Sequence, residues 1–315
     1  MTIARRQSLK ASGATGEGAG LAAGISDTPA ESKKPAFVLV HGAWHGAWCY
    51  ERVIPLLAAR GHVAVARDLP AHGLNARFPA AYGVRPVDPA VFGTEVSPLA
   101  ATTLADYANS IIATIDQVRA LGHDNIVLVG HSMGGVAITA AAEQAPQKIR
   151  KLVYLTAFMP RSGVGATTYI HAPENAGELV GPQLLSDPAV TGALRIDYRS
   201  TDATYRANSK LAFYGDVSEV DYDAVANLLT PDVPIAPFAT PIATTVARWG
   251  SLPRHYIKAL QDRAILPTLQ QRFIAEADAF TPENPTRVHE LNTSHSPFIS
   301  APAELADLLA AIAAA

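Results

Sequence analysis

Residues 126–144 restrict the possible folds of this chain more than any other stretch. Ile126-Val127-Leu128-Val129 is an apolar run of strand length, Gly130-His131-Ser132-Met133-Gly134 follows at once, and Val136 to Gln144 reads as a helix. A chain that turns from buried strand to helix within five residues must hold Ser132 in a strained backbone conformation. Side chains at positions 130 and 134 would collide with neighbouring elements, which explains the two glycines. Gly135 lets the new helix lie close to the sheet. The G-x-S-x-G pattern therefore stands in the strand–turn–helix context it needs, with a serine hydroxyl at the end of a buried strand.

The rest of the chain repeats this alternation. Ala36-Phe37-Val38-Leu39-Val40 is bounded by Pro35 and by His41-Gly42 and reads as a strand buried on both faces. Cys49 to Arg60 has helical spacing with Gly61 as its stop, and His62 to Arg67 is a second strand. Strand, helix, strand in this order argues a crossover-connected parallel sheet. Residues 74–102 show no sustained period and read as a long loop. Thr103 to Leu121 is a helix with Leu104, Tyr107, Ile111, Ile115 and Val118 at core spacing, and Lys151 to Leu155 is another strand. From Met159 to Gly250 the alternation lapses, as an inserted cap would make it. Strands resume at 255–259 and 286–290, and a helix over 302–312 closes the chain. The predicted organisation is a core of 35–158 and 251–315, a cap of 159–250, and an N-terminal segment of 1–34 outside the fold.

Composition excludes more than it assigns. With 49% hydrophobic and 17% charged residues, the 315-residue chain can bury a sizeable core. A net charge of −3 with no long basic run gives no footprint for nucleic acid. Cys49 is the only cysteine, so neither an intrachain disulfide nor a cysteine zinc site can form. No apolar run approaches the ~20 residues of a membrane-spanning helix. Arg5-Arg6-Gln7-Ser8-Leu9-Lys10 resembles the twin-arginine export motif, which predicts a periplasmic or secreted protein. Ser8 stands where Phe is usual, and Glu17 interrupts the apolar region, so a basic tail on a cytoplasmic protein is the alternative.

A serine is a poor nucleophile without a base. Beyond Ser132 the histidines are His171, His255, His289 and His295. His171 falls in the cap, and His255 and His289 fall within strands. His295 lies in the polar loop Asn292 to Pro297 just past the last strand, where an imidazole can reach the elbow. Asp262 follows the strand before it and is the sole carboxylate between Asp232 and Glu276. It is the candidate to accept the Nδ1 proton of His295. An oxyanion hole needs two backbone N–H groups, and Met133 and Ala43 are the candidates. His41 and His45 read as structural hydrogen-bonding groups, since Gly42 and Gly46 argue against a helical metal pair, and no metal site is predicted.

Phe37 to Trp48, the elbow, Tyr256 to Asp262 and His295 to Pro302 together resemble the esterase and hydroxynitrile-lyase branch of the α/β-hydrolase superfamily. That branch includes plant methylesterases and bacterial carboxylesterases acting on pyrethroid-type esters. The resemblance implies an α/β-hydrolase fold, with a mostly parallel central sheet flanked by helices and an inserted cap. It implies a Ser132–His295–Asp262 carboxylesterase that works through an acyl-enzyme without a cofactor. The cyanohydrin lyases carry threonine where this chain has Gly42, which is expected to leave room for substrate beside the oxyanion hole, and lysine where it has Ser296, which favours ester hydrolysis. Alternatives are a lyase or other non-hydrolytic member, or a receptor-like binding protein of the same fold. The expected partner is a small-molecule ester, with a homodimer left open. Trp44, Phe158 and Met159 are the pocket candidates.

Overall fold

In the computed structural model residues 33–315 are described, and the Arg5-Arg6 motif lies outside them. The two most apolar runs become adjacent central strands. Every residue of β1 (Ala36–Val40) and β3 (Ile126–His131) is buried, as a strand covered on both faces requires. With β2 (Ala64–Ala66), β4 (Lys151–Leu155), β7 (Arg254–Ala259) and β8 (Arg287–Leu291) they form one six-stranded sheet, ordered β2-β1-β3-β4-β7-β8 and paired in parallel throughout. The remaining strands, β5 (Ala193–Arg195) and β6 (Asp232–Pro234), pair antiparallel in a separate small sheet. The chain runs outward from β1 to β2 and then returns across β1 to β3, so the strand order reverses between β1 and β3. In sheets of this kind the crevice at the carboxyl ends of such neighbours is where ligands bind.

The helix after the long loop, Leu104–Ala120, opens with a capping box. Thr103 Oγ1 accepts from Asp106 N at 3.2 Å, and Asp106 Oδ2 accepts from Thr103 N at 2.8 Å. Its face of Leu104, Tyr107, Ile111, Ile115 and Val118 is buried, each contributing about 1.5–3 kcal/mol of apolar burial. It stops before Gly122, which takes φ +82°. The helix expected over 49–60 divides into a 3₁₀ turn (Ala47–Tyr50) and a helix (Ile54–Ala59), the latter starting where Pro55 fits the first turn.

The stretch expected as a structureless loop, 74–102, contains a helix over Pro89–Thr94. Asp88 caps it by accepting from Ala90 N at 2.9 Å. Two guanidinium groups tie this stretch to the insertion between β4 and β7. Arg195, fully buried, binds Asp232 through two contacts of 2.6 and 2.7 Å and donates Nη1 to the carbonyls of Phe92 and Glu95. Arg85 binds both oxygens of Asp197 at 2.8 and 2.9 Å. Segments without periodicity are thus held by long-range ionic contacts.

Candidate active site

Four chain segments leave the carboxyl ends of β1, β3, β7 and β8 and converge. The segment after β3 is the elbow. Ser132 has φ +53°, a left-handed conformation rare outside glycine. A Cβ on Gly130 would lie 2.7 Å from Gly134 O, and one on Gly134 would lie 2.6 Å from His41 O. Both glycines are therefore required by close backbone approach. A Cβ on Gly135 would run into the Phe158 carbonyl, which is the close helix–sheet contact anticipated from the sequence.

The segment after β1 carries His41-Gly42-Ala43. Its two histidines brace it. His41 Nδ1–H donates to Gly42 O at 2.9 Å and Nε2 accepts from Leu69 N at 3.0 Å. His45 Nδ1–H donates to Ala43 O at 2.6 Å, and its Nε2 accepts from Tyr214 Oη–H at 2.5 Å. Each ring is neutral in that arrangement, and burial, the leading cause, pushes both well down from the ordinary histidine range, His45 to about 3. Among the described residues no group of side chains has the makings of a metal site. Trp44 takes φ +63°, and its carbonyl accepts from Thr230 N at 3.0 Å, which fixes the loop to the insertion.

Neither Ala43 N–H nor Met133 N–H has an acceptor among the described residues. They flank Ser132 from the two segments, and Ala43 lines the same small cavity as Ser132. Gly42 behaves differently from expectation. Its missing Cβ would fall 2.7 Å from Ser132 Cβ and 2.8 Å from His131 Nδ1. The glycine does not leave space for a substrate; it lets the β1 segment pack directly behind the serine.

The third element is the pair His295–Asp262. His295 Nδ1 lies 2.7 Å from Asp262 Oδ2, and both residues are about 1% exposed. Asp262 Oδ2 also accepts from Thr156 Oγ1, and Oδ1 accepts from Ala264 N at 2.7 Å and Ile265 N at 3.0 Å. Asp262 is thus buried, bonded to His295 and capping its own turn at once. The His295 carbonyl accepts from His131 Nε2–H at 2.8 Å, and the two rings lie 4.6 Å apart. The imidazole-bearing loop is thereby fastened to the residue immediately before Ser132. Asp216 fastens it from the other side, accepting from Ser294 N at 2.9 Å and from Ser294 Oγ.

The cavity beside Ser132 measures about 50 Å³ and is walled by apolar side chains, among them Trp44, Phe158, Phe213 and Ile265. Met159 is buried in the core and is not among the residues lining it. Sequence reasoning missed Thr156, Asp216 and Thr230. A Thr or Asp in an insertion gives no local sign of its distant partner. A fourth missed residue, Glu178, lines the cavity.

The model of the alpha/beta hydrolase family matches residues 37–308. Methylesterase 9 of Arabidopsis thaliana is 29% identical over 289 residues, covering 88% of this chain and 97% of its own. Putative methylesterase 14, chloroplastic, of the same plant is 27% identical over 278 residues, covering 88% of this chain and 71% of its own. Among solved structures, a pyrethroid hydrolase from Sphingobium faniae JZ-2 superposes with a TM-score of 0.67 at 25% identity, over 89% of this chain and 98% of that one. Polyneuridine aldehyde esterase superposes with a TM-score of 0.66 at 24% identity, over 89% and 99%, a likeness of fold. With its parallel sheet, its elbow and this match over most of its length, the chain belongs to the alpha/beta hydrolase family.

Proposed function

We propose that the protein is a carboxylic ester hydrolase working through an acyl-enzyme, with residues 159–250 acting as the cap over the site. The observation that carries this reading is the buried 2.7 Å contact between His295 Nδ1 and Asp262 Oδ2 in a loop fastened beside the Ser132 elbow. Asp262 fixes the tautomer that leaves His295 Nε2 free to accept a proton. Ser132 Oγ attacks the ester carbonyl carbon and its proton passes to Nε2. The oxyanion accepts hydrogen bonds from Ala43 N–H and Met133 N–H, donors with no competing acceptor among the described residues. Collapse expels the alcohol, protonated by His295. Water, deprotonated by the same imidazole, then attacks the acyl-enzyme and the acid leaves. Every proton is carried by residues of this chain.

The hydrolytic reading is favoured over cyanohydrin cleavage by position 296. A departing cyanide gains from a cation beside the histidine, and Ser296, fully buried, supplies none. Many turnovers of p-nitrophenyl acetate, a fluorophosphonate adduct mapped to Ser132 and negligible cyanide release from mandelonitrile are the expected results. Full labelling of Ser132→Ala, a single slow turnover, or cyanide release without ester hydrolysis would overturn the proposal.

A further inference from the structure

Of the fifteen residues lining the cavity beside Ser132, one is ionisable: Glu178. It is half-buried, and its carboxylate folds back to accept from Val180 N at 2.6 Å and Gly181 N at 3.0 Å. Those contacts fix where the charge sits, in the wall formed by Glu178, Val180 and Gly181. The carboxylate forms no ion pair among the described residues. Loss of hydration on burial raises its carboxyl above the usual range, and the hydrogen bonds from Gly181 and Val180, with a smaller contribution from His171, act against that rise. The remaining walls are apolar apart from Ser132 and Asn175, so little lies between this charge and a bound group to screen it.

We infer that Glu178 is a specificity-determining residue that selects against a carboxylate, and in favour of a neutral or cationic group, on whatever occupies this cavity. The inference rests on the esterase reading for its catalytic consequence. Two unlike consequences follow from one charge. Esters bearing a second, anionic group are rejected. The acid released by deacylation, which ionises as it forms, is repelled from the cavity where it was made, so the product leaves without competing with the next ester. Charges several ångströms apart at an effective dielectric near 20 interact strongly enough for roughly tenfold discrimination.

The test compares the wild type with Glu178→Gln, which retains an oxygen to accept the Val180 and Gly181 N–H groups and removes the charge. Three substrates of similar shape are used: phenyl acetate, 4-carboxyphenyl acetate and 4-(trimethylammonio)phenyl acetate. Their intrinsic reactivities cancel when each variant ratio is divided by the wild-type ratio. The expected result is a roughly tenfold gain for the carboxylate ester relative to phenyl acetate, and a similar relative loss for the ammonium ester. A purely structural role for Glu178 would change all three kcat/KM values by the same factor, and that outcome overturns the inference. Calorimetric binding of phenylacetate and phenylacetamide reads the same charge without turnover, the neutral amide serving as the control for folding. Phenylacetate should gain about tenfold on the amide in Glu178→Gln. If the wild type hydrolyses none of the esters, the esterase reading falls and the binding ratio decides for Glu178. An unchanged ratio, or binding of neither ligand, overturns it.

Discussion

Asp262 gives one oxygen to His295 and the other to its own turn. Oδ2 holds His295 Nδ1 at 2.7 Å, while Oδ1 accepts from Ala264 N and Ile265 N. The turn holds the carboxylate through bonds of its own, separate from the contact with the imidazole.

Asp262→Asn separates these two roles. The amide oxygen can still cap the turn, but an amide N–H in place of Oδ2 presents a donor to His295 and Thr156, favouring the wrong tautomer. The fold should persist, with kcat lowered by up to ~10⁴. Unchanged circular dichroism alongside steady-state kinetics with p-nitrophenyl acetate checks both halves. A near wild-type kcat would assign the orienting role elsewhere.

Asp216 acts on His295 through Ser294. Asp216→Ala removes both contacts to Ser294, leaving the His131 bond as the loop's remaining tie, and should lower kcat roughly tenfold to a hundredfold through misplacement of the imidazole. Because the residue is exposed, the melting temperature should fall by only a few degrees. Asp216→Asn keeps an acceptor and should recover most of the rate. A large loss of stability with intact kcat would make Asp216 a structural residue only.

Gly42→Ala tests the packing behind the serine. The added methyl would sit 2.7 Å from Ser132 Cβ, and neither neighbour is the free end of a flexible chain. Displacement of the elbow should reduce labelling of Ser132 by a fluorophosphonate at least tenfold and cost about 1–3 kcal/mol in urea unfolding. Labelling at the wild-type rate would show that the segment yields.

Buried neutral histidines set the acid limit of the fold. His45 titrates near 3 and His72 near 4, both held down chiefly by burial, and His41 and His131 are displaced the same way. Unfolded, each binds a proton near pH 6.5. The unfolded chain therefore holds more protons between those limits, and stability present above pH 6.5 is lost as pH falls toward 4 and 3. Each such histidine contributes up to about 1.4 kcal/mol per pH unit in that window. Urea midpoints at pH 8, 6 and 5 should fall steadily, and a flat profile down to pH 5 would contradict the assignment.

What could be read from the sequence was what the backbone itself demands. Gly130, Gly134 and Gly135 are visible because crossing a strand onto a helix leaves no room for side chains, and the measured approaches agree. Asp262 and His295 could be singled out because the chain offers few alternatives in the right order. The helix Pro89–Thr94 was legible in principle, with Asp88 as cap and Pro89 in the first turn, but six residues give too little period to see. Thr156, Asp216 and Thr230 were not legible at all. Each acts on a single residue far along the chain, and nothing local encodes that. Met159 illustrates the converse: its neighbour Phe158 lines the cavity while Met159 itself turns into the core.

Arg195 reaches from β5 to Asp232 on β6 and to the carbonyls of Phe92 and Glu95 at the C-terminal end of the helix Pro89–Thr94. Its charge has no water to fall back on, so replacing 74–102 alone leaves the Arg195–Asp232 pair intact but removes two carbonyl acceptors from a buried guanidinium, at a cost of about 1–3 kcal/mol where the new backbone does not restore them. Swaps of these stretches between relatives should be tolerated best when 74–102 and 193–234 are exchanged together, which also keeps Arg85 with Asp197. For anyone recombining such enzymes, these two stretches, a hundred positions apart, form a single inheritable block.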